Sequence, residues 1–131
     1  MSVVLAPDFV LTLLDRDATG HADAADWVQA VEEDLVTTPL ALAAIDAGAG
    51  AAASAVRDDF ARGAYTVRWW ADALDETLAL SRKRELDLVR ASLVALAGRL
   101  RTDRVATFDA NFERLRTPAG KPFVVLPERN A

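Results

Sequence analysis

Cysteine is absent from this chain of 131 residues, and histidine occurs once, as His21. The absence of cysteine excludes thiol catalysis, zinc-thiolate sites, iron–sulfur clusters and disulfides, and it fits a reducing cytoplasm. A single histidine excludes multi-histidine metal sites and leaves one imidazole for any Ser-His-Asp arrangement. Because His21 lies in a polar stretch with no nucleophile-elbow motif, we interpret it as a surface histidine near a helix start.

A long apolar run and a basic leader are missing as well. No apolar stretch reaches the roughly 20 residues of a membrane span, and the opening MSVVLAPDFV lacks the basic region of a signal peptide. We therefore expect a cytoplasmic protein that does not enter the membrane. A net charge of −5 disfavours nucleic-acid binding through bulk charge. The length and the 52% hydrophobic content predict one globular domain, 1–131.

Strand-like and helix-like patterns alternate along the chain. The strand-like runs are 2–6, 35–38, 64–69, 104–107 and 123–126. Helical spacing indicates helices after Asp8, within 19–33, from Pro39, over 51–62, over 71–84 and over 90–100. This order predicts an α/β fold of three layers, with a central, mainly parallel five-stranded sheet flanked by helices. Ligand sites in such sheets lie at the carboxyl ends of the strands.

Several sequence blocks are similar to a known family. They are SVVLAPDFVLTLLDRD (2–17), LVTTPLALAAID (35–46), LDLVRASLVALAGRL (86–100), RVATFDANFERLR (104–116) and FVVLP (123–127). In order and spacing these blocks resemble the PIN domain in its short, VapC-like toxin form. The resemblance implies an endoribonuclease dependent on Mg²⁺ or Mn²⁺, in which acidic residues at the carboxyl edge of the sheet bind the metal and activate water.

Three of the four acids that the resemblance implies are replaced here. Ala6 stands where the first strand of the family ends in aspartate, Ala44 stands at a glutamate position, and Arg90 stands where a later helix opens with aspartate. Only Asp109 is retained. The three exchanged positions change from a formal −3 to +1, so we expect no metal site and no cofactor.

Two functions remain open at this point. In the first, the chain is a degenerate PIN-like domain without ribonuclease activity that acts by protein binding, as a homodimer or with an antitoxin-like protein. In the second, it is a VapC-like ribonuclease that uses Asp8, Asp46 and Asp109 with Mg²⁺ or Mn²⁺, or an active-site-silenced form of one. The simpler interpretation makes Asp8 a helix N-cap, and it points Asp46 away from Ala44, since two helical positions differ by about 200°.

Arg90 suggests how a degenerate site is neutralised. A guanidinium forms bidentate hydrogen bonds with carboxylates, so we expect Arg90 to take the place of the ion by pairing with Asp109, Asp8 or both.

Other side chains are candidates for partner contacts. The basic run Arg82, Lys83 and Arg84 precedes the Arg90 helix and is a candidate contact for RNA phosphates or an acidic partner, although an ordinary basic helix end is the simpler interpretation. Of Trp69 and Trp70, we expect one in the core and one at its margin. The apolar faces are candidates for a dimer surface, with core as the simpler interpretation; they comprise Phe9, Leu11, Leu13, Leu14, Trp27 and Val31.

Overall fold

The structure is a computed structural model that describes residues 1–128, so the last three residues of the predicted domain lie outside the described residues. Strands and helices alternate as the sequence predicts. The strands are β1 (Ser2–Leu5), β2 (Asp34–Thr37), β3 (Thr66–Val67), β4 (Arg104–Ala106) and β5 (Val124–Leu126). The helices are α1 (Pro7–Leu14), α2 (His21–Ala30), α3 (Pro39–Gly48), α4 (Ala53–Ala61), α5 (Ala73–Arg84) and α6 (Leu88–Leu100), with short 3₁₀ turns at Gly50–Ala52 and Ala110–Glu113.

The five strands form one sheet in the order β3-β2-β1-β4-β5, and all four pairings are parallel. The first strand lies in the centre, with Val4 beside Val36 on one side and beside Val105 on the other. Helices cover both faces, which is the arrangement that parallel strands require because both faces must be buried. The predicted three-layer α/β fold is confirmed.

Two apolar clusters hold the layers together. The cluster on the α5 and α6 side is built from Val4, Ala6, Val36, Ala41, Leu93, Val94, Leu96, Ala97, Val105, Phe112 and Phe123. The cluster on the α1 to α4 side is built from Val3, Leu5, Phe9, Val10, Ala24, Ile45, Val56, Ala106 and Leu126. Successive residues of β1 alternate between the two clusters, as the period of a strand dictates. Consequently Ala6 faces the helix that carries Arg90.

Most of the apolar side chains considered for a dimer surface pack in the core. Phe9 is fully buried, and its ring packs edge-on against Trp27 at 5.4 Å and stacks on Phe108 at 5.9 Å. Leu11, Leu13 and Leu14 pack partly buried against the same cluster. The simpler interpretation as core therefore holds for these residues, whereas Val31 is half-buried and lies outside the cluster.

The third strand is shorter than the pattern predicts. Pairing ends at Val67, with one further hydrogen bond from Arg68 N to Thr37 O. An edge strand has a neighbour on one side only, so the chain leaves the sheet easily. Trp70 then packs against the core and donates from Nε1 to Glu76, while Trp69 remains 41% exposed. The tryptophan at the margin of the core is therefore Trp70, and the prediction that the other one lies in the core is wrong, because Trp69 is exposed.

The segment after β4 packs tightly against α6. A Cβ atom at Gly98 would lie 2.6 Å from Cγ of Pro118, far closer than van der Waals contact. Glycine at this position therefore lets the loop approach the helix backbone.

Among the helices of residues 1–128, none combines the length and the apolar character needed to cross a membrane.

Candidate functional site

The carboxyl ends of β1, β2 and β4 meet at one edge of the sheet, next to the first turn of α6. Two threonines at the end of β2 fasten this edge. Thr37 donates from Oγ1 to Leu5 O at 2.9 Å, and Thr38 caps α3 by accepting from Ala41 N at 3.2 Å. Ser92 of α6 donates to Val89 O, so the 2.8 Å contact between Thr38 and Ser92 is a hydrogen bond from Thr38. The bond between Thr38 and Ser92 holds α6 against the end of β2, and the bond from Thr37 joins β2 to β1.

Arg90 lies at the centre of this edge and binds two carboxylates. Its Nε and Nη2 atoms both donate to Oδ2 of Asp109, at 2.9 and 2.6 Å. Its Nη1 atom donates to Oδ2 of Asp87 at 2.6 Å. The predicted pairing of Arg90 with Asp109 is confirmed, and Asp87 is an additional partner.

Asp87 both begins α6 and binds Arg90. Its Oδ1 atom accepts from Arg90 N at 2.8 Å, which satisfies one of the free backbone donors of the first turn. Its other oxygen pairs with the guanidinium of the same residue. The sequence carried a signal for this arrangement, since an aspartate three residues before an arginine matches both an N-cap and an i,i+3 ion pair.

The charges at this edge stabilise one another. Burial alone would raise the pKa of Asp109, but hydrogen bonds from Arg90 and from Asn111 N, together with the charge of Arg90, hold its pKa below the ordinary value. The hydrogen bond to Asp109 in turn raises the pKa of Arg90, although partial burial opposes it. Both groups are therefore charged over the whole neutral range.

Asp8 is not a helix N-cap, so that prediction is wrong. Helix α1 begins two residues earlier than an N-cap at Asp8 would place it, with Ala6 in extended conformation at the N-cap and Pro7 in the first turn. The carboxylate of Asp8 instead accepts from Thr107 Oγ1 at 2.7 Å and from Phe108 N at 2.6 Å. It therefore ties α1 to the end of β4 and does not pair with Arg90.

The remaining predicted positions do not add acids to this edge. Ala6 is buried in the α6-side cluster. Asp46, two residues after Ala44, pairs with Arg57 of α4 through Oδ1 at 2.8 Å and Oδ2 at 3.1 Å. That pairing confirms that Asp46 points elsewhere, toward α4.

These residues do not fit a divalent cation. Mg²⁺ and Mn²⁺ require several converging oxygen ligands, usually carboxylates. Within residues 1–128, no three acidic or histidine side chains converge closely enough to hold a metal ion. Asp109 Oδ2 faces a guanidinium, and both oxygens of Asp8 already accept hydrogen bonds. A cation here would have to displace Arg90.

The basic run divides into two parts. Arg84 donates to Arg116 O at 2.6 Å and to Thr117 O, and so fastens α5 to the loop before β5. Arg82 and Lys83 are exposed.

His21 is the first residue of α2, and its Nδ1 atom lies 3.1 Å from Thr12 O, within hydrogen-bond distance.

Two solved structures have a similar fold. A Mycobacterium tuberculosis toxin, VapC20, described as cleaving the sarcin-ricin loop, superposes with a TM-score of 0.75 and 17% identity over 86% of this chain and 93% of its own. A toxin–antitoxin complex from Klebsiella pneumoniae gives a TM-score of 0.68 and 18% identity over 98% of this chain and 99% of the matched chain. No protein-family model and no curated protein matches the sequence. The chain therefore has the fold of VapC-like PIN domains.

Proposed function

We propose that this chain is a PIN-fold domain without metal-dependent ribonuclease activity, which acts by binding protein. The observation that carries the proposal is the contact of Arg90 with Asp109, in which two guanidinium nitrogens bind one carboxylate oxygen. The resemblance implies a metal ion at this edge of the fold. Because the guanidinium of Arg90 is permanently charged, it neutralises Asp109 in place of a metal ion.

Electrostatics explains why such a site binds no metal. At an effective dielectric of about 20, two like unit charges at about 4 Å repel by roughly 4 kcal/mol, and a divalent ion beside a guanidinium feels twice that. In addition, Ala6 and Ala44 offer no oxygen ligand. Without the ion, the chain has no means of lowering the pKa of an attacking water.

The geometry disfavours the ribonuclease alternative. Its three acids would be Asp8, Asp46 and Asp109, but each already has another role. Asp8 binds Thr107 and Phe108, Asp46 binds Arg57 on the α4 side, and Asp109 binds Arg90. An active-site-silenced enzyme has the same chemistry as the degenerate domain and would behave identically toward metal and RNA.

Binding of a protein partner is the activity that this fold retains without its metal. One solved structure of the same fold is a toxin–antitoxin complex. We extend that association to this chain as a proposal: an antitoxin-like protein or a second copy is its partner. RNA is a weaker candidate, because the net charge is −5 and Arg84 is already bound to backbone carbonyls.

Calorimetric titration with Mn²⁺, combined with an RNA-cleavage assay, tests the proposal. We expect no measurable binding heat and no cleavage of single-stranded or structured RNA above background. Asp109→Asn and Asp46→Asn serve as a matched pair of variants, since each removes one arginine-paired carboxylate and only Asp109 lies at the edge. Micromolar Mn²⁺ affinity that is lost in Asp109→Asn and kept in Asp46→Asn would overturn the proposal in favour of the enzyme.

A further inference from the structure

A cavity of about 630 Å³ opens at the edge of the sheet opposite to Arg90. Its wall is formed by the last turn of α6, by Thr102 and Asp103, which lead into β4, and by the loop before β5. Arg90 lies in the first turn of α6 and this cavity at its last turn, so the two places are separate. The volume is within the range of roughly 300–1,000 Å³ that small-molecule sites occupy.

The loop that walls the cavity is held in place by the chain itself. Thr117 closes the loop, because its N donates to Lys121 O at 2.8 Å and its Oγ1 accepts from Lys121 N at 3.1 Å. Arg84 of α5 donates to two backbone carbonyls at the start of the loop. Pro118 lies directly over Gly98 of α6. A ligand would therefore meet a preformed wall and would lose little affinity to ordering it.

The wall of the cavity combines apolar surface with two cations. Ala97, Pro118 and Ala119 contribute carbon atoms to it. Arg101 and Lys121 line the same cavity, and both are exposed. Sites for small molecules usually have this composition, in which apolar side chains provide contact area and a few polar groups fix the orientation of the ligand.

The two cations have no partner in the described part of the chain. Over residues 1–128, the side chains of Arg101 and Lys121 take part in no hydrogen bond or ion pair. One acid, Asp103, lines the cavity beside them. Because the cations outnumber the acid while the whole chain carries a net charge of −5, the cavity is a locally positive place on an acidic protein. Such a place attracts small anions.

The backbone does not explain why residue 101 is an arginine. Arg101 is the C-cap of α6 and has a φ of 54°, in the left-handed region that glycine adopts most readily. A cation near the end of a helix is favourable, but Arg99 already supplies one in the last turn. The guanidinium of Arg101 is therefore available for a ligand.

We propose that this cavity binds a small amphipathic anion. Its carboxylate, sulfonate or phosphate group lies between Arg101 and Lys121, where the guanidinium donates two parallel hydrogen bonds to it. Its apolar body, of the size of one or two rings, lies on Ala97, Pro118 and Ala119. The site is remote from the edge that carries Arg90, and it adds a small ligand to the protein binding proposed above.

Fluorescence titration with anilinonaphthalene sulfonate tests the site, because this probe carries a sulfonate on an aromatic body and brightens in apolar surroundings. We expect saturable binding at one site. Arg101→Gln and Lys121→Gln should each weaken it about tenfold, since each removes a charged hydrogen-bond donor. Arg99→Gln is the matched control: it removes the same charge two residues earlier in α6, outside this cavity, and should bind like the natural chain.

Further probes and variants separate the two parts of the proposed ligand. Uncharged phenylnaphthylamine should bind about tenfold more weakly than the sulfonate, and millimolar inorganic phosphate, which has no apolar body, should not displace the sulfonate. Ala119→Trp should abolish binding because the indole fills the cavity. Arg101→Gly should bind as weakly as Arg101→Gln without a lower midpoint of thermal denaturation, since glycine suits the left-handed backbone.

Cooperative thermal denaturation shows that each variant is folded before it is titrated. The proposal is overturned if the natural chain binds no sulfonate, if the uncharged probe binds equally well, or if phosphate displaces the sulfonate. It is also overturned if Arg99→Gln weakens binding as much as Arg101→Gln, if folded Ala119→Trp still binds, or if Arg101→Gly lowers the midpoint, which would assign the arginine to the fold. None of these results affects the Mn²⁺ titration or the RNA-cleavage assay, so the two proposals fail separately.

Discussion

Oxygen Oδ2 of Asp109 accepts both hydrogen bonds that Arg90 makes to this carboxylate, and the same guanidinium reaches Asp87. Arg90 therefore links the segment after β4 to the first turn of α6. Replacing it by alanine leaves Asp109 with its hydrogen bond from Asn111 N and with solvent.

We expect Arg90→Ala to lower the free energy of unfolding by about 1 kcal/mol at neutral pH. The side chains of Arg90 and Asp109 are 36% and 20% exposed, so water screens the pair and keeps the loss below that of a buried ion pair. Urea denaturation measures the difference. Arg57→Ala, which breaks a pair whose arginine is 68% exposed, is the control and should cost less.

The pH dependence of this difference identifies its source. Folding holds the pKa of Asp109 below its ordinary value, so the pair stabilises the protein above about pH 4. Its contribution shrinks as the pH falls through the folded-state pKa, because the protonated carboxyl no longer attracts Arg90. The curves of the natural chain and Arg90→Ala should therefore converge in acid. A constant gap from pH 7 to pH 2 would attribute the loss to packing of the arginine stem.

Sequence reasoning worked for the charged pair and failed for its neighbours. The pairing of Arg90 with Asp109 followed from a residual carboxylate that needed a partner. The wrong role for Asp8 came from a helix start placed two residues late: Ala6 is the N-cap and Pro7 occupies the first turn, so Asp8 faces β4. Asp87 was missed because its position was assigned to the loop before α6.

At the scale of elements, α6 is held from both ends. Its first turn is fastened by Asp87 and Arg90, and Gly98 near its last turn is covered by Pro118. Alanine normally favours a helix over glycine by about 0.5–1 kcal/mol. At Gly98 the sign should reverse, because a proline ring cannot rotate away from the added methyl.

We expect Gly98→Ala to lower the free energy of unfolding by about 2 kcal/mol, the typical effect of overpacking. The double variant Gly98→Ala/Pro118→Ala should recover most of the loss, since it removes the ring atom that lies 2.6 Å from the new Cβ position. Thermal denaturation of the two variants measures this recovery. A stabilised Gly98→Ala protein would mean that the loop moves away from α6 at little cost.

Element types were more predictable than element lengths. Each predicted strand and helix is present, because the apolar periods of strands and helices differ clearly. Strand β3 is the main exception: the alternation over 64–69 continues beyond the two residues that pair. Its length depends on where the tryptophans pack, which is a tertiary contact that local sequence does not encode.

For the whole molecule, the proposed loss of the metal site should be reversible by substitution. We expect the triple variant Ala6→Asp/Ala44→Glu/Arg90→Asp to bind Mn²⁺ in calorimetry and to gain thermal stability when Mn²⁺ is added. The double variant Ala6→Asp/Ala44→Glu is the control, and it should bind far more weakly because Arg90 remains on Asp109. A folded triple variant that ignores Mn²⁺ would show that more than these three residues separates this domain from a metal-binding one.

The architecture of the whole molecule was predictable in class but not in detail. Alternating strands and helices imply a parallel sheet covered on both faces, and the structure has one. The order of the strands depends on which strand edges pair during folding. The alternation of strand-like and helix-like segments does not specify that order.

The central position of β1 also sets the order in which the chain can fold during synthesis. Its first neighbour, β2, begins at Asp34, but its second neighbour, β4, begins only at Arg104. While the chain is made, β1 therefore presents one unpaired edge until β4 has left the ribosome. Pairings so distant in sequence are slow to form, because a long loop must close before any contact compensates for it. In a nascent chain the edge of β1 that pairs with β4 consequently stays open until Arg104–Ala106 have emerged.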